Sequence, residues 1–218
     1  MTKPIQTLAD FLLAAQVTID NARTDEEIKT RVAEFGYDDT KLEEGKALLD
    51  TANDLQQTQQ NEYGDQFAAT ETLNAKKEEA ENTYMRLVKV ARVALASECA
   101  LSQKLDLGGK RKRTLSGWLA QAKQFYLNAL ADPAVIEKMS AFGMTREKIE
   151  AGKTLVDQVE EANAAQKKEM GEAQQATQER DAAVDALHSW RSDFIAIARI
   201  ALEDKPQLME KLGIVEPS

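Results

Sequence analysis

One histidine, His188, and one cysteine, Cys99, are all the chain offers of these two side chains. A carboxylate-bridged di-iron site in a helical bundle draws on four carboxylates and usually two histidines from Glu-x-x-His motifs, so a single histidine argues against one here. His188, in Asp-Ala-Leu-His-Ser-Trp, reads as a lone surface or boundary residue. Cys99 has an apolar context and no histidine on the same helix, which suits a small helical filler better than a nucleophile. The stretch LGGKRKRT (107–114) has two glycines and a lysine but not the spacing of a phosphate-binding P-loop. Its four basic residues resemble a nuclear-localisation or nucleic-acid patch; in an acidic chain they read as a solvated linker. No catalytic residue, cofactor or metal ligand is assigned.

One polar constellation occurs twice. Glu43, Lys46 and Asp50 recur as Glu150, Lys153 and Asp157. Spacings of three and four residues place them on one helical face, about 150° from that helix's apolar stripe. Side-chain pairs at these spacings add only about 0.2–0.5 kcal/mol each, so the face is either merely solvated or a duplicated interface. Arg92 and Arg199 also recur, in A-R-V-A-L and A-R-I-A-L, at the edge of the most hydrophobic arc. An arginine there can lay its stem on apolar surface and give its head to a carboxylate. A structural ion pair is expected for both, with Asp50 and Asp157 as partners.

These recurrences belong to a longer one. Sliding the chain against itself by 107 residues aligns Thr7/Thr114 to Leu107/Ile214 without a gap, with roughly 28 identical pairs in 101. The pattern is that of a tandem duplication: repeat 1 over 1–106, a basic glycine-containing linker over 107–113, and repeat 2 over 114–218. Within each repeat four helices are expected. The first starts after Thr7 or Thr114; a short second one is capped by Asp25 or Asp132, with Pro133 at the first helical position of the second copy. Gly36 and Gly143 end the short helix in the left-handed conformation. Asp38 and Thr145 cap the third helix, and the residue before each, Tyr37 or Met144, can staple onto Leu42 or Ile149. Gly45 and Gly152 lie on the third helix's apolar face, where a neighbouring helix is expected to cross closely.

Beyond about residue 56 the pattern turns polar, with Gly64 and Gly171 as the plausible breakers. Either the helix turns back near them or it continues as one long rod; a helical hairpin with a polar tip is the favoured reading. The fourth helix, around RLVKVARVALA or DFIAIARIALE, is apolar over a wide arc and so central to its bundle. Lys205-Pro206 interrupts the second copy, leaving a terminal turn or short helix. The fold class is therefore all-α: two paired helical bundles, or one pseudo-twofold-symmetric bundle with long helical hairpins.

Composition agrees. The chain is 43% hydrophobic and 30% charged with 10 glycines and 4 prolines, and its polar residues are dominated by helix formers. A net charge of −9 argues against generic binding to nucleic acid or anionic membrane. No apolar run is long enough to span a bilayer, the N-terminal stretch reads as a helix rather than a signal peptide, and one cysteine suits a reducing compartment. The expected setting is cytoplasmic. The function stays unknown at this level: a non-enzymatic scaffold or protein-interaction protein leads, with an unidentified protein partner or self-association. The alternative is a bundle holding an apolar small molecule or lipid between Phe11, Trp118, Trp190 and Phe194.

Overall fold

The computed structural model of the chain describes residues 7–214. Among the described residues run eight helices and no strand: α1 (Leu8–Thr24), α2 (Glu26–Ala33), α3 (Asp39–Ala94), α4 (Cys99–Lys104), α5 (Leu115–Ala131), α6 (Pro133–Ser140), α7 (Arg146–Ala201) and α8 (Pro206–Lys211). The start signals work as their chemistry requires. Thr7 forms a reciprocal capping box with Asp10. The Asp25 carboxylate accepts from the backbone N–H groups of Glu27 and Ile28, each at 3.1 Å. Asp132 accepts from Ala134 N–H at 3.1 Å, and Asp38 from Lys41 N–H at 3.0 Å. Each such cap satisfies helix N–H groups that have no partner within the helix. At the corners after α2 and α6, Gly36 (φ 88°) and Gly143 (φ 75°) turn left-handed. Tyr37 N–H then reaches back to Val32 O, and Met144 N–H to Met139 O, both at 3.1 Å.

The expected hairpins do not form. α3 and α7 are each continuous over 56 residues, passing through Gly64 and Gly171 with no turn. The reason is local. Neither segment contains proline, and a mid-helix glycine costs only about 1 kcal/mol. The polar stretches are built from Gln, Glu, Ala and Lys, which favour continuing the helix. The third and fourth helices expected in each repeat are thus one helix.

The chain divides into two compact units, Met1–Tyr63 with Glu172–Ser218, and Gly64–Gly171. Each boundary falls inside a long helix, so each unit takes residues from both halves of the chain. In the first unit, α1, α2 and the start of α3 supply Leu12, Ile19, Ile28, Val32, Leu42 and Leu49. The end of α7 and α8 supply Leu187, Phe194, Leu202 and Leu208 to the same core. In the second unit, α5, α6 and the start of α7 supply Phe125, Val135, Met139, Ile149 and Val156, while the end of α3 supplies Leu87, Val88 and Leu95. Fully burying one such side chain contributes about 1.5–3 kcal/mol, which is what holds these short helices on the long ones.

Two equivalent contacts recur inside the two units. Asn21 Nδ2 donates to Lys211 O at 2.5 Å and Lys211 Nζ donates to Asp25 at 2.6 Å. Asn128 Nδ2 donates to Lys104 O at 2.6 Å and Lys104 Nζ donates to Asp132 at 3.0 Å. In each case a lysine at the end of one short helix joins the aspartate that caps another short helix of the same unit, and the two partners come from different halves of the chain.

The mid-helix glycines make room for rings rather than for a second helix backbone. A Cβ on Gly45 would overlap the indole of Trp190, and one on Gly152 the phenol of Tyr126. Trp190 stacks on Phe194 with ring centroids 5.3 Å apart, and Tyr37 meets both edge-on. In the other unit Tyr84 lies edge-on to Trp118 and Phe125. Such edge and offset arrangements suit the ring quadrupoles.

Candidate functional site

The residues singled out by the sequence are not brought together. Glu43 accepts from Arg23 at the end of α1, and Lys46 pairs with Asp50 one turn along its own helix. These lie in the first unit. In the second, Glu150 pairs with Arg146 at 3.5 Å and Lys153 with Asp157 at 2.6 Å. All are at least partly exposed, where pairs of this spacing are worth a few tenths of a kcal/mol. The expected pairing of Arg92 with Asp50 is not what forms. Arg92 Nε donates to the carbonyl of Leu107 at 2.9 Å, tying the end of α3 to the chain beyond α4, and Arg199 also has a partner. The two aspartates are engaged by lysines on their own helices, which lie one turn away and reach them without crossing between elements.

His188 is exposed beside Phe11, ring centroids 5.6 Å apart. Cys99 is not a buried filler: it is exposed at the first position of α4. Trp118, Trp190 and Phe194 are core residues, and Phe11 packs against the core of the first unit.

The basic linker holds the feature that sequence reasoning passed over. Lys110, Lys112 and Arg113 are exposed, but Arg111 is half-buried. Its guanidinium donates to the Tyr84 hydroxyl at 2.9 Å, to Asp106 O at 2.6 Å and to Gly108 O at 2.7 Å. Asp106 is left-handed at φ 46°, a conformation a short polar side chain tolerates when it bonds locally. Here the Asp106 carboxylate accepts from Gln121 Nε2 at 2.6 Å, and Gln121 Oε1 accepts from Lys112 N–H at 3.1 Å. The loop is therefore fixed from three sides: by Tyr84 on α3, by Gln121 on α5 and by its own carbonyls.

Beside it lies a hollow of about 320 Å³ lined by Lys77, Glu81 and Met85 of α3, by Arg111, Lys112 and Arg113, and by Trp118 of α5. Four cations face one carboxylate. By contrast, the hollow lined by Thr58, Glu62, Glu172 and Glu179 is acidic. Two of the basic hollow's lining residues each bury one donor without an acceptor, Arg111 Nε and Trp118 Nε1. An unsatisfied buried donor costs about 1–3 kcal/mol.

No family model, curated protein or solved structure matches this chain. Among the described residues no helix is long and apolar enough to cross a membrane.

Proposed function

We propose that the chain is a tandemly duplicated, non-enzymatic helical scaffold that presents repeated surfaces to a protein partner or to a second copy of itself. The observation that carries this reading is a set of apolar residues left exposed at repeat-equivalent positions. Phe35 and Phe142 are 45% and 53% exposed, Val93 and Ile200 61% and 53%, and Tyr63 and Met170 41% and 47%. Single exposed apolar residues need no explanation. The same ones kept out of both cores, at positions 107 apart, are better suited to contact than to packing. The duplication itself is supported by the gapless self-alignment and by the two equivalent Asn–Lys–Asp contacts.

Analytical ultracentrifugation of the full chain across a wide concentration range tests the self-association arm, and pull-down with a tagged chain tests the partner arm. Phe35→Gln with Phe142→Gln should abolish whichever is seen while leaving the thermal midpoint within a few degrees, because surface changes usually stay within about 0.5 kcal/mol. A monomeric chain with no partner, whose purified form carries a co-purifying lipid visible by mass spectrometry, would instead support the ligand-binding reading.

A further inference from the structure

We propose that the hollow formed by α3, the 108–113 loop and the start of α5 binds a small phosphate-bearing anion. The first argument is charge. Beyond Arg111, the lining cations Lys77, Lys112 and Arg113 against Glu81 leave two uncompensated positive charges. Among the described residues, Lys77, Lys112 and Arg113 make no ion pair. Arg111 bonds only neutral oxygens, a phenol and two carbonyls. A cluster of this sign in a chain of net charge −9 is not explained by general solubility, which a distributed acidic surface already provides. Its charge suits a dianion rather than a single carboxylate.

The second argument is preorganisation. Arg111 is held by three hydrogen bonds and the backbone of Lys112 by Gln121, so little freedom remains to be lost on binding. Gly117 brings the first turn of α5 against the loop: a Cβ there would meet the Lys112 side chain at 3.0 Å. The third is the guanidinium of Arg113, exposed on the lining, whose planar fork matches phosphate geometry. A volume of about 320 Å³ lies at the small end of ligand sites.

The test is calorimetric titration of the full chain with inorganic pyrophosphate at low ionic strength, with citrate as a carboxylate of comparable charge. Saturable one-to-one binding is expected, weakened about tenfold by Lys77→Gln with Arg113→Gln and tightened severalfold by Glu81→Gln. Lys41→Gln with Lys148→Gln, remote surface lysines that line no part of the hollow, should leave it unchanged. None of these side chains enters a core, so each variant should fold, as circular dichroism will verify. The proposal is overturned by absence of saturable heat, by equal loss in the Lys41/Lys148 control, or by citrate binding as tightly as pyrophosphate.

Discussion

The side-chain amide of Asn128 donates to the carbonyl oxygen of Lys104 at 2.6 Å, joining α5 to the end of α4 across the linker. Asn21 makes the same bond to Lys211, 190 residues away. Each carbonyl lies at the end of a short helix and is one of those left without an intrahelical donor. Asn21→Ala and Asn128→Ala should each destabilise the chain by about 0.5–1.5 kcal/mol. Urea denaturation measures this, and equal effects from the two substitutions are expected because the two sites are built alike.

The aspartates next to these contacts carry two tasks. Asp25 is held below its ordinary value of 3.8 by the hydrogen bond from Lys211 first, then by the backbone N–H of Ile28. Asp132 is held low by Lys104 in the same way. A lowered carboxylate contributes stability above its unfolded-state value and loses it as the pH falls through the folded one. Asp25→Ala should cost about 1 kcal/mol at neutral pH through the lost cap. Asp25→Asn keeps a capping oxygen, so its smaller deficit should shrink as the pH falls from the unfolded-state value of about 3.9 through the lower folded-state one. Thermal midpoints from pH 7 to pH 3 check both.

Gly45 and Gly152 are notches for rigid rings. Replacing either with alanine gains about 1 kcal/mol of helix propensity but forces a Cβ into Trp190 or Tyr126. Neither ring can swing aside: Trp190 stacks on Phe194 and Tyr126 is fully buried. Overpacking of this kind costs about 1–3 kcal/mol, so a net loss is expected for both, read as a lower urea midpoint.

The Tyr126 hydroxyl is buried with no hydrogen-bond partner. Tyr126→Phe should therefore be neutral or stabilising by up to about 1 kcal/mol at neutral pH. Burial raises the phenol's pKa above its ordinary value of 10.0, so the unfolded chain releases this proton first. The contribution of the neutral phenol is complete below about pH 10 and is lost as the pH rises beyond it, at up to about 1.4 kcal/mol per pH unit. Denaturation between pH 8 and pH 11 should show a flatter alkaline decline for Tyr126→Phe than for the wild type.

Much of the fold could be read from single residues. Thr7, Asp25, Asp132 and Asp38 announce helix starts by chemistry that acts within three residues, and Gly36 and Gly143 announce the corner. The apolar faces of Leu42–Leu49 and Ile149–Val156 were equally plain. What local pattern could not fix was whether a polar stretch turns back. Gly64 and Gly171 are weak breakers, and only the far partner of each apolar face decides. Nor could it fix that partner, because the two halves of the chain offer similar apolar faces. The glycine notches were visible in the sequence, yet the rings filling them, Trp190 and Tyr126, came from other elements. Arg111 was hidden for a related reason. Within KRKR nothing distinguishes it from its neighbours, and one of its acceptors, the Tyr84 hydroxyl, lies 27 residues upstream.

The central structural claim is that each core is completed by residues from both halves of the chain, and fragments test it most directly. Residues 1–110 and 111–218, purified separately, should each lack a cooperative monomeric urea transition, since each loses the opposing long-helix half that its core requires. Mixed, they should form a one-to-one complex with restored helicity and a single cooperative transition. Either fragment unfolding cooperatively as a monomer, with no complex formed on mixing, would contradict the account.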